Sequence, residues 1–210
     1  MSKSILDDIL KEDTSSQIIQ EDEYLASLLQ EIGLIDDEGI KSFVRSLLLK
    51  ASTFWEIPSS FSGRYHPPDE HGPGGNALHT KRVVRVAEVI SDSYALSVEE
   101  RDLIIAACLL HDITKGIPSE ESGMFHYDPM HPYTVNKFVS DCIRHDKEYA
   151  NDSHSSTLFI SEENVQSILR LVRCHLGPWS PVPETYPITY MDYIVHLADN
   201  IASKVHTIIE

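Results

Sequence analysis

Apolar residues recur at helical spacing along most of the chain, and they predict a protein built from α-helices. Between residues 22 and 50 this pattern predicts two amphipathic helices, with a break near Gly33 to Gly39. Five further helices are predicted over residues 76–91, 97–115, 128–147, 161–176 and 189–208. Strand patterns are weak throughout, so the sequence predicts an all-α fold with one core.

Local signals set the expected helix boundaries. Ser97 and Glu100 have the spacing of a capping box, and Asn76 and Ser161 are expected to be the N-caps of their helices. Gly177 follows the fourth of the five helices and is expected to end it. Residues 55–75, which are rich in Pro, Gly and His, predict a long loop, and a loop of that length in a compact domain is usually functional.

The composition fits one domain with a short appendage, because 41% of the 210 residues are hydrophobic. We expect an acidic helical segment over residues 1–50, which either caps the core or forms the face of a homodimer, and a main domain over residues 51–210. No apolar run is long enough to span a membrane, and the start lacks the apolar stretch of a secretory signal. The cysteines Cys108, Cys142 and Cys174 are odd in number and scattered, which predicts reduced, buried thiols in a cytoplasmic protein.

Acidic residues dominate the charge. Residues 1–40 carry eleven acidic and two basic side chains, so they hold −9 of a net charge of −16. This balance argues against a surface that grips long duplex nucleic acid, which needs clustered cations. A small phosphorylated substrate remains compatible with it, because bound metal ions reverse the field in a pocket.

Each of the five predicted helices places a polar residue in line with its apolar stripe, which should make that residue point inward. These residues are His79, His111 with its neighbour Asp112, His131, His175 and Asp199. A single histidine on an apolar face is more often a core residue that is hydrogen-bonded to a carbonyl, and Asp199 alone suits a buried helix-pairing carboxylate. Six such residues are better explained by a shared partner, because an unpaired buried polar group costs roughly 1–3 kcal/mol. A divalent cation takes imidazole and carboxylate ligands together.

The order of His79, the pair His111-Asp112 and the distant Asp199 resembles the HD-domain superfamily of metal-dependent phosphohydrolases, over roughly residues 54–204. The segments Leu-Leu-His-Asp-Ile-Thr-Lys at 109–115 and His-Leu-Ala-Asp-Asn at 196–200 are similar to the family's central and terminal motifs. His131 and His175 resemble the branch that holds two metal ions. The segment Gly-Gly-Asn-Ala-Leu-His-Thr at 74–80 is similar to HD-domain 3′–5′ exoribonucleases, although that branch often has adjacent histidines where this chain has His175-Leu176.

This resemblance implies a single helical bundle with the metal site between its helices. It implies one ion on His79, His111, Asp112 and Asp199, with Asp112 bridging to a second ion on His131 and His175. Two cations about 3.5–4 Å apart share a water and lower its pKa, so that a hydroxide attacks phosphorus in line. Nitrogen and carboxylate ligands suit Mn, Fe, Co, Ni or Zn better than Mg.

Five residues are predicted to contact substrate: Lys115, Arg82, His66, His71 and Trp179. Lys115 follows Asp112 by three positions and is predicted to contact phosphate and assist catalysis, with a helix-end cation as the alternative. Arg82 is alternatively a solvated surface charge. His66 and His71 are predicted to contact substrate or to protonate the leaving oxygen, and the alternative is that they are loop residues without such a role. Trp179 either stacks on a base or packs at the rim of the site.

The leading hypothesis is therefore a metal-dependent phosphohydrolase, of nucleotidase or phosphodiesterase type, that acts on a nucleotide or a short oligonucleotide. The alternative is a non-catalytic metal- or nucleotide-binding regulator with the same fold. A third hypothesis, a purely structural helical interaction protein, predicts no bound metal and no activity that depends on His111 or Asp112.

Overall fold

Helices carry the fold in the computed structural model, which describes residues 25–119, 124–148 and 159–204. The helices in these ranges are α1 (Leu29–Ile32), α2 (Glu38–Lys50), α3 (Ser52–Glu56), α4 (Gly75–Asp92), α5 (Val98–Leu110), α6 (His131–Glu148), α7 (Glu162–Cys174) and α8 (Tyr190–Ala202). Short 3₁₀ turns cover Pro68–Glu70, Gly177–Trp179 and Pro183–Thr185. The predicted all-α class is confirmed.

A small antiparallel hairpin is the exception to the helical pattern. Strand β1 (Gly116–Pro118) pairs with β2 (Phe125–Tyr127), and Gly116 lies opposite Tyr127. Sequence periodicity did not reveal these strands, because three residues are too few to show an alternation of period two.

Helix α5 is the centre of the core. Its residues from Asp102 to Leu110 are all buried, and it packs against α2, α4, α7 and α8. The capping box predicted at Ser97 and Glu100 starts this helix. Helix α4 packs along α8, so the fold brings the first and last of the five predicted helices side by side.

Residues 25–50 share the core with the later helices. Leu28, Phe43 and Leu47 are buried in it, and the buried carboxylate of Asp102 accepts the main-chain N–H groups of residues 36 and 37. The acidic residues 1–24 and the predicted helical residues 205–208 lie outside the described ranges. The domain boundary at residue 50 and the homodimer stay predictions.

Several predicted boundaries were wrong. Asn76 is not the N-cap of α4; Gly74 takes that position with a φ of 77°, and the Asn76 amide donates to the Asp112 carbonyl instead. Helix α5 ends at Leu110 rather than near residue 115, and α8 ends at Ala202. All three cysteines are unpaired and buried, as the sequence predicts. Within the described residues, no helix combines the length and the apolar character needed to cross a membrane.

Candidate metal centre

The six side chains predicted as metal ligands lie together at one end of the core. His79 lies in the second turn of α4 and Asp199 in α8, while His131 is the first residue of α6. His111, Asp112 and His175 were predicted within helices, but they lie just beyond the ends of α5 and α7. All of them are buried except Asp199, whose side chain is 19% exposed.

These residues form two adjacent groups. In the first, Nε2 of His79 lies 3.0 Å from Oδ1 of Asp199, and Nε2 of His111 lies 3.9 Å from the same oxygen. In the second, Oδ1 of Asp112 lies 3.0 Å from Nε2 of His131 and 3.7 Å from Nε2 of His175. The ligand atoms of each group lie within 4.8 Å of one another.

Asp112 lies between the two groups. Its Oδ2 faces Nε2 of His111 at 3.3 Å, while its Oδ1 faces the second group. A carboxylate has two oxygens with separate lone pairs, so this side chain has the geometry to serve both groups at once.

Main-chain carbonyls fix the direction of three imidazole rings. Nδ1 of His111 lies 2.7 Å from the Cys108 carbonyl, and the corresponding contacts are 2.6 Å from His131 to the carbonyl of residue 128 and 2.7 Å from His175 to that of residue 172. Because a carbonyl only accepts hydrogen bonds, Nδ1 must carry the proton in each ring. The lone pair of the neutral ring is then on Nε2, which is the atom that faces the two groups.

The free Nε2 atoms fit a cation. Nε2 of His111 is buried without a hydrogen-bond partner, and Nε2 of His131 lies only 3.1 Å from Nε2 of His175. Two nitrogen lone pairs at that distance repel each other unless a positive charge lies between them. Two imidazoles on one ion, with bonds of about 2.0–2.1 Å, would have their nitrogens about 3.0–3.4 Å apart. The donor set therefore fits divalent metal ions.

Burial and charge shift the pKa values within the site in opposite directions. Burial alone lowers the pKa of His79, but the carboxylates of Asp199 and Glu70 outweigh burial and raise this pKa to about 9. Burial and the neighbouring imidazoles lower the pKa of His175 to about 3. Burial raises the pKa of Asp112, but Lys115 and His111 outweigh it and hold the pKa well below its usual range. The site thus keeps an ionised carboxylate beside a neutral imidazole.

An open cleft of about 690 Å³ leads to these groups, and Asp112, His131, His175 and Asp199 form part of its floor. Three residues predicted to contact substrate lie in its lining, namely Lys115, His66 and Trp179. Nζ of Lys115 is buried and donates to Oδ2 of Asp112 over 2.6 Å. The indole of Trp179 is 66% exposed at the rim, with its ring centroid 5.5 Å from that of His196.

The structure does not bring Arg82 and His71 to the cleft. The guanidinium of Arg82 forms ion pairs with Asp69 and Glu70, and Nε2 of His71 donates to the carbonyls of residues 65 and 66. Neither side chain lines the cleft, so its geometry does not support their predicted substrate contacts, which stay predictions.

Sequence reasoning missed two residues that support the site. Glu70 is buried beside His79, and His196 donates from Nδ1 to the carbonyl of His175 over 2.8 Å. His196 begins the His-Leu-Ala-Asp-Asn segment and lies three positions before Asp199, so the sequence held a signal for its place beside the site. Glu70 lies in a Pro- and Gly-rich segment without periodicity, which gives no such signal.

The chain was compared with known proteins. The family model of the HD domain matches residues 76–204, which is more than half of the chain. Dihydroneopterin 2′,3′-cyclic phosphate phosphodiesterase of Methanocaldococcus jannaschii is 31% identical over 132 residues, which is 61% of this chain and 45% of that relative. The match therefore spans less than half the length of the relative. No solved structure matches the chain significantly.

Proposed function

The chain belongs to the HD domain family, and on that premise we propose that it is a metal-dependent phosphohydrolase of the phosphodiesterase type. The observation that carries this proposal is the pair of ligand groups with Asp112 between them, in which unpartnered or opposed Nε2 atoms face the interior of the site. The name of the relative, a phosphodiesterase, supports the same reaction class.

In the proposed assignment, His79, His111 and Asp199 would hold one ion, His131 and His175 would hold a second, and Asp112 would serve as a ligand in both groups. The nitrogen and carboxylate donors suit Mn, Fe, Co, Ni or Zn better than Mg. When bound, such ions act as Lewis acids on phosphoryl oxygens and lower the pKa of water.

The residues of the chain position the substrate and keep the site charged for the reaction. In hydrolysis the oxygen of water bonds to phosphorus, the P–O ester bond breaks, and the leaving oxygen takes up a proton. Lys115 carries its ammonium group at the cleft floor, where it is placed to contact a phosphoryl oxygen while it holds Asp112. Trp179 and Tyr127 give the cleft wall aromatic surface on which a planar ring can pack.

We further infer that the substrate is one small phosphodiester with a planar ring rather than an oligonucleotide. The cleft volume lies within the range of sites for single small molecules, roughly 300–1,000 Å³. The net charge of −16 disfavours a long track for a polyanion. The relative is named for a dihydroneopterin 2′,3′-cyclic phosphate, so a cyclic phosphodiester is the first substrate class to test.

The test combines elemental analysis of the purified full chain with a hydrolysis screen. The panel contains a pterin 2′,3′-cyclic phosphate, 2′,3′- and 3′,5′-cyclic nucleotides, nucleoside mono-, di- and triphosphates and short RNA, each with and without added Mn²⁺. We expect co-purified transition metal and turnover of a cyclic phosphodiester. A protein that binds metal and hydrolyses nothing in the panel would instead be the non-catalytic regulator.

Asp112→Ala is the decisive variant. It removes the carboxylate between the two groups, so we expect turnover to fall to background and most bound metal to be lost, with helical content retained in circular dichroism. Asp141→Ala is the matched control, because Asp141 is partly exposed on α6, and within the part of the chain that the structure describes its ion pairs are with its helix neighbours Lys137 and Arg144. Full turnover in Asp112→Ala would show that the proposed chemistry is wrong.

A further inference from the structure

Glu70 is a buried carboxylate outside the predicted ligand set, and it lies directly behind His79. Its relative exposure is 0%, although it belongs to a short 3₁₀ turn in the loop that precedes α4. A carboxylate so deeply buried needs several donors to compensate the loss of water.

Three donors hydrogen-bond to this carboxylate, and the ring of His79 faces it. Oε2 accepts from the hydroxyl of Ser59 over 2.9 Å and from Nδ1 of His66 over 3.0 Å, and it lies 3.3 Å from Nδ1 of His79. Oε1 accepts from the guanidinium of Arg82. Glu70 therefore faces a hydroxyl, two imidazole rings and a guanidinium.

Glu70 lies at the same ring nitrogen of His79 that main-chain carbonyls contact in the other three imidazoles. His111, His131 and His175 each direct Nδ1 to a main-chain carbonyl, whereas Nδ1 of His79 faces a carboxylate. A carboxylate at Nδ1 favours the tautomer with its proton there and leaves Nε2 for a metal ion.

The main chain holds Glu70 at this place. A Cβ on Gly75 would lie 2.0 Å from the Glu70 carbonyl oxygen, so the first turn of α4 packs directly on this residue. His79 lies one helical turn after Gly75, and its ring is therefore fixed relative to the carboxylate.

A third ion among His66, Glu70 and His79 is a competing explanation, because their ligand atoms also cluster. The guanidinium of Arg82 already neutralises Glu70 and would repel a cation at this point. The cluster is better explained by two imidazoles gathered at one carboxylate, with His66 hydrogen-bonded to it and His79 facing it at 3.3 Å.

We propose that Glu70 is a positioning residue for His79: it accepts Nδ1–H of His79, so that Nε2 faces the ion. Glu70 also accepts hydrogen bonds from Ser59 and His66, which line the cleft, and so connects the cleft wall to His79. This inference rests on the proposed metal site. It predicts that the carboxylate contributes to metal affinity without contacting metal or substrate.

The test measures Mn²⁺ binding to the full chain by isothermal titration calorimetry. Glu70→Gln keeps one acceptor and should weaken binding about tenfold, and Glu70→Ala should weaken it further, toward 100-fold, as is usual for a residue that orients a metal-binding histidine. Asp69→Asn is the matched control. Asp69 pairs with Arg82 as Glu70 does but is exposed and contacts no imidazole, so its variant should bind Mn²⁺ like the wild type.

Equal Mn²⁺ affinity in wild type and Glu70→Gln, or an equal loss in Asp69→Asn, would overturn the inference. If the Glu70 variants do not fold, nitrogen-15 NMR of the Zn²⁺-loaded wild type decides the matter. Protonated Nδ1 and metal-shifted Nε2 in His79 support the inference, and metal-shifted Nδ1 overturns it. A wild type that binds neither Mn²⁺ nor Zn²⁺ would refute the proposed function itself, which is a separate result.

Discussion

Lys115 and Asp112 form a buried ion pair at the cleft floor, with 2.6 Å between Nζ and Oδ2. Lys115→Met keeps most of the side-chain volume but removes the charge. We expect kcat to fall by roughly 10²–10³, as when one preorganised donor to a developing oxyanion is lost, because the phosphoryl charge is left without this cation. Metal content, measured by elemental analysis, should stay at the wild-type level.

Lys137→Met is the control for this change, since Lys137 is exposed on α6 and its ion pair is with Asp141. A Lys115→Met variant with wild-type kcat would place the lysine in a purely structural role. That is the alternative that the sequence already left open, a cation near a helix end.

Single residues also show where sequence reasoning succeeds at the site and where it stops. The order of the histidines and aspartates was sufficient to select six side chains that the structure brings together. Sequence order did not show where Arg82 points. Arg82 is in line with His79 on α4, but its guanidinium forms ion pairs with Asp69 and Glu70. Contacts between a loop and a helix depend on the path of the loop, and no periodicity records that path.

At the scale of elements, the N-terminus of α8 is held by Asp192. Its buried Oδ2 accepts the N–H groups of Ile188 and Thr189 and the guanidinium of Arg170 from α7. Burial raises the pKa of Asp192, but these donors outweigh it and lower the pKa. The ionised carboxylate therefore stabilises the fold above pH about 4, and this contribution is lost as the pH falls through the lower, folded-state value.

Asp192→Asn should reduce the free energy of unfolding at pH 7 by about 1–2 kcal/mol, because a capping box and a link between helices are weakened. Urea denaturation at pH 7 and pH 3 checks this, and the difference from wild type should shrink at the lower pH. Asp141→Asn, which alters ion pairs on the surface of a single helix, should change little at either pH. A constant difference at both pH values would contradict the assignment to the ionised form.

Helix existence was predictable from periodicity, whereas helix ends were less so. Ser97 and Ser161 cap α5 and α7 as predicted, because their side chains act within four residues of sequence. Asn76 does not cap α4, because its side-chain amide donates a hydrogen bond to the carbonyl of Asp112, 36 residues later in the sequence. The predicted end of α5 near residue 115 was wrong. The helix ends at Leu110, and the chain continues in turns in which the N–H groups of Ile113 and Lys115 bond to carbonyls three residues earlier.

For the molecule as a whole, the proposed ions would join five helices that are distant in sequence. Removing them should lower stability, because a ligand at 100 times its Kd contributes about 2.7 kcal/mol. For a chain of this length we expect Tm to fall by roughly 5–10 °C on chelation and to recover on adding Mn²⁺. Differential scanning calorimetry with and without chelator measures the shift.

Asp112→Ala is the control for chelation, because its Tm should not respond to chelator. A wild type that loses its metal with no change in Tm would contradict a site shared among helices. It would favour ions held by one segment alone.

The carbonyls that direct His111, His131 and His175 have a consequence for how such a protein diversifies. The orientation of these rings depends on main-chain carbonyls at helix ends, and not on the side chains that line the entrance. Substitutions around the entrance can therefore accumulate under selection without re-aiming the rings. The residues around the entrance can therefore vary while the backbone keeps the three rings pointed at the proposed metal site.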